Sequence, residues 1–405
     1  MKKRIGILFP SSKKGGVYQY ARGIADCLIG ISKAFDVCII YEDDKPDFSC
    51  QAESEVGISY EKIPPCNPSG PRKIIHLLSL YLGFRPGLIG NIDQVVRKAS
   101  VDLLIIPTPL FFSIPLDIPF ITSLPDHNDK YFPDFPEYSL KTKVARDVIF
   151  RYFGKKAVLV VADSETTVGD LEKYSKVPRS KTFVIPYIPP DYIYELKDMT
   201  HEEASNLVTN LKLPDRYIFY PAQFWYQKNH FRLFKALQNI REIHGDKVNL
   251  VLVGNSKGNP IYERVHRELA VLAKKLDLES QITYLGYTDN RTTVALYKKS
   301  VGLVSPALQV PTTIPPLEAM ALGVPVATVN LAEIPRQVGN AGLLFDPLDI
   351  KDMAEKIWML WSDGKLREKM IREGYKQVEN LNRESSASKW KEAIDAALKK
   401  TAMST

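Results

Sequence analysis

Residues 301–329 read VGLVSPALQVPTTIPPLEAMALGVPVATV. The stretch opens on an apolar run at 301–304, crosses a loop rich in Pro and Thr, and continues as a short helical pattern at 317–322. Gly323-Val324-Pro325 then turns the chain into a second apolar run at 326–329. Runs that are apolar at nearly every position, rather than at alternate ones, are strands covered on both faces, as in a parallel sheet. Strand, helix and strand in this order form the repeating unit of a doubly wound α/β fold.

The same alternation extends outward from this stretch. Upstream, strands are predicted at 217–220, 249–253 and 282–285, with helices at 229–243, 262–276 and 290–299. Downstream follow a strand at 343–345 and helices at 351–361 and 364–378. The N-terminal half repeats the pattern, with strands at 4–9, 36–41, 102–106, 120–123, 157–163 and 182–185 and helices at 17–32 and 166–174. Between the halves, 186–214 holds Tyr-Ile-Pro-Pro, a charged stretch and a helix start at Thr200 with Glu203 three residues on, the spacing of a capping box. The expected organisation is therefore an N-terminal Rossmann-like domain at 1–186, a linker at 187–214 and a second such domain at 215–384. A last helix within 385–405 completes one of the two domains, the first by our reading.

Composition agrees with two soluble globular domains: 405 residues, 45% hydrophobic and 25% charged. No apolar run reaches the roughly 18–20 residues needed to cross a bilayer. Ile5 to Phe9 is too short for the apolar core of an export signal, so a cytoplasmic location is expected. Cys27, Cys38, Cys50 and Cys66 form no C-x-x-C pair, which predicts reduced thiols and no zinc site. The formal charge of +7 suits a phosphorylated ligand or an anionic membrane surface, and nothing in its pattern calls for nucleic acid.

Three segments carry chemistry. Gly15 and Gly16 stand between the first strand and its helix, where backbone N–H groups can approach a phosphate, although paired glycines also make plain turns. There is no G-x-G-x-x-G, so a nicotinamide fingerprint is absent. Lys228, in Phe224-Trp225-Tyr226-Gln227-Lys228-Asn229-His230, opens a helix whose dipole already favours an anion, although a solvated surface lysine is the commoner fate of the residue. Glu318 lies in the first turn of the helix that follows Pro311-Thr312-Thr313-Ile314-Pro315-Pro316; a carboxylate there suits a ribose diol, and equally suits the helix N-terminus itself.

In this order and at this separation, these segments resemble the retaining glycosyltransferases of the GT-B fold, specifically family four, the group 1 transferases. The likeness is strongest over 217–347, through Phe-Trp-Tyr-Gln-Lys-Asn-His and Leu-Glu-Ala-Met-Ala-Leu-Gly-Val-Pro-Val. It extends more loosely through Gly-Gly-Val-Tyr-Gln-Tyr-Ala-Arg-Gly and Ala162-Asp163-Ser164-Glu165-Thr166. The resemblance implies two Rossmann-like domains facing across a cleft, and a nucleotide-diphosphate sugar as donor substrate, with no other cofactor and no metal. It implies that Glu318 binds the nucleotide ribose, that Lys228 meets the donor diphosphate, and that Gly15 and Gly16 lie near the phosphates and the transferred sugar. Thr312, Thr313 and Ile314 fall where backbone amides meet sugar hydroxyls; Gly286 and Tyr287 fall at the base, with Gly254 and Asn255 on the same side.

Two departures stand out. Val310 occupies the place of the family's first glutamate, and Ala222 and Gln223 stand where an arginine often precedes the lysine. In the first domain, Ser123-Leu124-Pro125-Asp126-His127-Asn128-Asp129-Lys130-Tyr131-Phe132-Pro133 resembles the family's acceptor loop, with Asp126 aligned and Asp129 at the place of the family histidine. Asp126 first and His127 second are the residues expected to position the acceptor hydroxyl or take its proton. The resemblance also implies a front-face displacement in which the departing diphosphate helps to deprotonate the acceptor, while the protein supplies orientation and charge. Glu42-Asp43-Asp44 reads as a solvated turn.

The apolar segment 72–85, flanked by Arg72, Lys73 and Arg85, is explained by a helix packed on the sheet or by an interfacial helix. Lys141, Lys143, Arg146, Arg151, Lys155 and Lys156 form a second basic stretch, and a lipid-linked or glycan acceptor would suit peripheral contact with an anionic membrane. The expected activity is transfer of a hexose, with the Trp-x-x-Lys-Asn-His and Pro-Thr-x-x-Pro-Pro forms pointing to GDP-mannose or a related hexose donor. The setting would be surface polysaccharide or glycolipid synthesis. Alternatives are a non-catalytic sugar-nucleotide-binding subunit, motivated by Val310, and a sugar-nucleotide epimerase of the same architecture.

Overall fold

The computed structural model describes residues 2–10, 16–42, 46, 58–63, 92–109, 118–124, 126–308 and 311–403. Gly15, Asp43, Asp44, the segment 72–85 and Val310, all read from the sequence, lie outside the described residues, as do Cys50 and Cys66.

The described residues form two compact units. The first comprises 1–127, 140–186 and 382–405. Its strands are β1 (Lys3–Leu8), β2 (Phe35–Tyr41), β3 (Ile58–Lys62), β4 (Leu103–Ile106), β5 (Phe120–Ser123), β6 (Leu159–Ala162) and β7 (Thr182–Val184), in the spatial order β3-β2-β1-β4-β5-β6-β7. Every pairing is parallel. Because side chains alternate across a sheet, Ile5 and Ile7 of β1 enter one core and Leu8 the other. The first core is covered by α1 (Gly16–Gly30), the second by α2 (Ile92–Lys98) and, beyond the four-residue α3 (Asn128–Tyr131), by α4 (Leu140–Lys156) and α5 (Glu165–Ser175).

The second unit comprises 128–139 and 187–381. Its helices are α6 (Asp191–Glu195), α7 (His201–Val208), α8 (His230–His244), α9 (Pro260–Lys275), α10 (Asn290–Lys299), α11 (Pro315–Ala321), α12 (Ile334–Val338), α13 (Ile350–Ser362) and α14 (Gly364–Val378). They surround β8 (Ile218–Pro221), β9 (Leu250–Val253), β10 (Ile282–Tyr284), β11 (Gly302–Ser305), β12 (Val326–Val329) and β13 (Gly342–Phe345), in the parallel order β10-β9-β8-β11-β12-β13. Tyr220, Leu250 and Leu252 face the core beneath α8, α9 and α13, whereas Tyr217, Phe219 and Val251 face the core beneath α6, α7, α10 and α11.

Two assignments differ from the sequence reading. Residues 187–214 are not a free linker: Ile193, Met199, Ala204 and Val208 are buried in the second unit's core. Thr200 and Glu203 do form the capping box that starts α7. The short loop 128–139, expected with the first domain, belongs to the second unit for a reason given below. The final helix, α15 (Arg383–Ala402), lays Trp390, Ala393, Ile394 and Ala397 into the core beneath α1, within the first unit.

Candidate active site

In the second sheet the winding direction reverses between β8 and β11, which pair through Gly302 with Ile218 and Leu303 with Phe219. Ligands of doubly wound sheets bind beyond the carboxyl ends of the strands at such a reversal. The segment carrying Lys228 follows β8, and the segment carrying Glu318 follows β11.

These two segments are bonded to each other. Leu308 donates its N–H to the carbonyl of Gln227 at 2.7 Å. Asn229, buried and held at φ 59°, donates its Nδ2 to the carbonyls of Pro306 at 3.0 Å and Pro347 at 2.9 Å. Asparagine is one of the few side-chain-bearing residues that tolerate this left-handed backbone. The loops after β8, β11 and β13 are thereby fastened at one point, and Lys228 is held at the last residue before Asn229 and α8. His230 follows in the first turn of α8, buried between the rings of Tyr220 and Phe224, with neither ring nitrogen hydrogen-bonded among the described residues. Burial first, and the Lys228 charge second, push its pKa down to about 3. Of the Lys-Asn-His motif, the asparagine and the histidine are thus built into the support of the loop that carries Lys228.

Gly254 and Asn255 follow β9, and Gly286 and Tyr287 follow β10. Gly254 donates to the carbonyl of Gly286 at 2.9 Å, and a Cβ at 254 would stand 2.2 Å from the carbonyl oxygen of Ala222. Only glycine permits that approach. Asn255 donates its N–H to Oε1 of Gln223 at 2.9 Å, so Gln223 braces this wall. Tyr287 is exposed.

Glu318 is 8% exposed, and each carboxylate oxygen accepts one phenol: Oε1 from Tyr192 on α6 and Oε2 from Tyr297 on α10, both at 2.8 Å. Burial raises its pKa, and the two phenolic donors oppose the rise by favouring the ionised form. Thr312 and Thr313 are buried ahead of α11. The Thr313 N–H donates to Oε1 of Gln337 at 3.2 Å, and its carbonyl accepts Nε2 of Gln337 at 2.8 Å. Gln337 is in turn held by Gln377 of α14, whose Nε2 donates to the carbonyls of Arg336 and Gln337. The sequence reading missed Tyr192, Tyr297 and Gln337, because no local pattern marks a partner so distant along the chain.

In the acceptor-like loop, Arg146 donates to the Asp126 carbonyl at 2.5 Å and to its Oδ1 at 3.3 Å, leaving that side chain partly exposed. His127 is enclosed: its Nε2 lies 2.8 Å from Ser175 Oγ, and its ring contacts Phe150 and Tyr174. An imidazole enclosed in this way serves packing, so the proton-transfer role expected of His127 has no geometric support. Beyond it the chain joins the second unit through Gln227. The Gln227 N–H donates to Glu137 at 3.0 Å, and its Oε1 accepts from Tyr138 at 2.6 Å and Asn128 at 3.4 Å. Asp129 is buried and paired with Lys130 at 3.2 Å. Gly16 begins α1.

Among the described residues no group of three or more His, Cys, Asp or Glu could hold a metal ion. No described helix is long and apolar enough to cross a membrane.

Comparison with known proteins places this geometry in context. Residues 202–377 match the family described as Glycosyl transferases group 1. Over 107 residues the chain is 34% identical to an O-antigen chain mannosyltransferase B of Escherichia coli, a stretch covering 26% of this chain and 28% of that protein. The chain thus matches about a quarter of this relative's length. A sucrose-phosphate synthase from Thermosynechococcus elongatus superposes with a TM-score of 0.73 at 18% identity, covering 97% of this chain and 98% of that one. The Anabaena protein HepE, solved with UDP and glucose, superposes at 0.71 with 17% identity, covering 97% and 100%. At such identities the likeness is one of fold.

Proposed function

We propose, from the match of residues 202–377 to the group 1 glycosyl transferases and from the GT-B fold, that the protein transfers a hexose from a nucleotide-diphosphate sugar to a glycan or lipid-linked acceptor. The observation that carries this reading is the pair of bonded loops at the sheet's reversal, one presenting Lys228 and the other Glu318. Glu318 accepts the ribose hydroxyls, and Lys228 at the start of α8 neutralises the diphosphate. The bond from the sugar's anomeric carbon to the diphosphate breaks with its electron pair on the leaving oxygen. The acceptor oxygen bonds to the same face, and its proton passes to a diphosphate oxygen. Configuration is retained. Asp126, held by Arg146, is the residue we assign to orient the acceptor hydroxyl. Charge stabilisation is assigned to Lys228 and backbone amides rather than to a metal ion.

Mannose is the hexose we favour, because a matching relative is named a mannosyltransferase of O-antigen chains; the same likeness supports a role in surface polysaccharide synthesis. Peripheral contact with an anionic membrane is supported by α4, where exposed Leu140 and Val144 stand among Lys141, Lys143, Arg151, Lys155 and Lys156.

The test is calorimetry with GDP, UDP, ADP, TDP and CMP, without and with Mg²⁺, on wild type and Glu318→Ala, followed by turnover of the matching sugar nucleotide. Saturable, Mg²⁺-independent binding of one diphosphate, weakened by the substitution, is the expected result. Absence of binding to every member overturns the donor site. Binding without transfer or slow hydrolysis favours the binding-subunit reading that Val310 raises.

A further inference from the structure

Glu318 is held by two phenols that differ in kind. Tyr297 is fully buried, its ring edge-on to Phe219 of β8 at 4.8 Å, and belongs to the core. Tyr192 is only half-buried and comes from the 187–214 segment of the second unit. Its hydroxyl nevertheless donates to Oε1 of Glu318 at 2.8 Å, as Tyr297 donates to Oε2 at the same distance. Two donors on two oxygens fix both the rotamer and the plane of the carboxylate. Each oxygen keeps acceptor capacity beyond the bond already made, and the spacing of two carboxylate oxygens matches a vicinal diol. Burial raises the Tyr192 pKa, with the Glu318 charge adding to the rise and Tyr287 contributing further, so the phenol stays a donor at neutral pH.

We infer that Tyr192 is a positioning residue for nucleotide recognition, orienting Glu318 so that its remaining acceptor sites meet the 2′- and 3′-hydroxyls of the donor's ribose. The inference rests on the reading of Glu318 as the ribose acceptor. It makes a segment outside the group 1 match, which begins at residue 202, part of the donor site.

The experiment compares affinities for GDP and 2′-deoxy-GDP, and for UDP and 2′-deoxy-UDP, in wild type, Tyr192→Phe, Tyr297→Phe and Glu318→Ala of the full chain. The readout is the ratio of deoxy to ribo dissociation constants within each protein, which a general loss of stability does not move. Wild type should prefer the ribo form, Glu318→Ala should lose the preference, and Tyr192→Phe should reduce it about fivefold, the size of one hydrogen bond. Tyr192→Phe should do so with a thermal midpoint close to wild type, whereas Tyr297→Phe should also lower the midpoint. A full ribo preference retained in Tyr192→Phe but lost in Glu318→Ala overturns this inference and leaves the proposed function standing. A wild type without preference, or a Glu318→Ala protein that keeps it, overturns the ribose reading itself.

Discussion

The side-chain amide of Gln337 closes a two-bond ring on the backbone of Thr313, donating Nε2 to the carbonyl at 2.8 Å and accepting the N–H on Oε1 at 3.2 Å. A carboxamide offers one donor and one acceptor side by side, which is what an extended peptide unit presents. The loop ahead of Glu318 is therefore shaped by α12 as much as by its own prolines. Gln377 carries the support back to α14.

Gln337→Ala should release Thr313 while leaving Lys228 and Glu318 untouched. Affinity for the sugar nucleotide, or its turnover, should fall about tenfold, because a loop that has lost the two hydrogen bonds holding its shape must be ordered by the ligand. Affinity for the bare nucleoside diphosphate should stay within about twofold. Calorimetry with both ligands on both proteins separates these outcomes, and an equal loss for both would place Thr313 away from the sugar.

Lys228→Ala should weaken a nucleoside diphosphate by about tenfold to a hundredfold while scarcely changing affinity for the nucleoside. The wild-type advantage should shrink as salt rises, because part of it is a screened charge interaction. A titration series at increasing ionic strength tests both statements.

Asn229 combines a left-handed backbone with two hydrogen bonds from one nitrogen. Asn229→Gly keeps the backbone free and loses only the bonds, whereas Asn229→Ala loses them and adds strain. Both should be destabilised by about 1–3 kcal/mol, alanine more than glycine, in urea melts. Asn229→Asp should do worse than either, because a carboxylate would face the carbonyls of Pro306 and Pro347.

His230 introduces a pH dependence whose sign follows from its burial. Its folded pKa of about 3 lies below the ordinary 6.5, so the folded state excludes a proton that the unfolded chain binds. The stabilisation is fully present above pH 6.5 and is lost as the pH falls toward 3. Between pH 7 and 5 this amounts to roughly 2 kcal/mol. His230→Phe keeps a ring against Phe224 and removes the titration, so its urea midpoint should fall less than that of wild type over this interval.

The strands at the centre of both sheets were legible because a strand covered on two faces must be apolar almost throughout. Edge strand β3, Ile-Ser-Tyr-Glu-Lys, escaped because none of its residues is buried and four are half-buried, leaving no continuous run. Helix α4 was read only as a basic stretch: its buried residues gather between Ile149 and Gly154, and its first half mixes Lys141, Lys143 and Arg146 with scattered apolar residues. Lys228 and Glu318 stood out because they sit in local motifs, at helix starts after strands.

Local spacing by itself determined the βα rhythm, the two halves and the place of the candidate donor loops, since periodicity and capping act over a few residues. Tertiary structure alone decided that 187–214 joins the second core, that 128–139 follows Gln227, that His127 is enclosed, and that Tyr192, Tyr297 and Gln337 brace the site. The reason is distance along the chain. A hydrogen bond such as that from Tyr192 to Glu318 spans 126 residues, and only the packed strands and helices bring two such polar groups within 3 Å of each other.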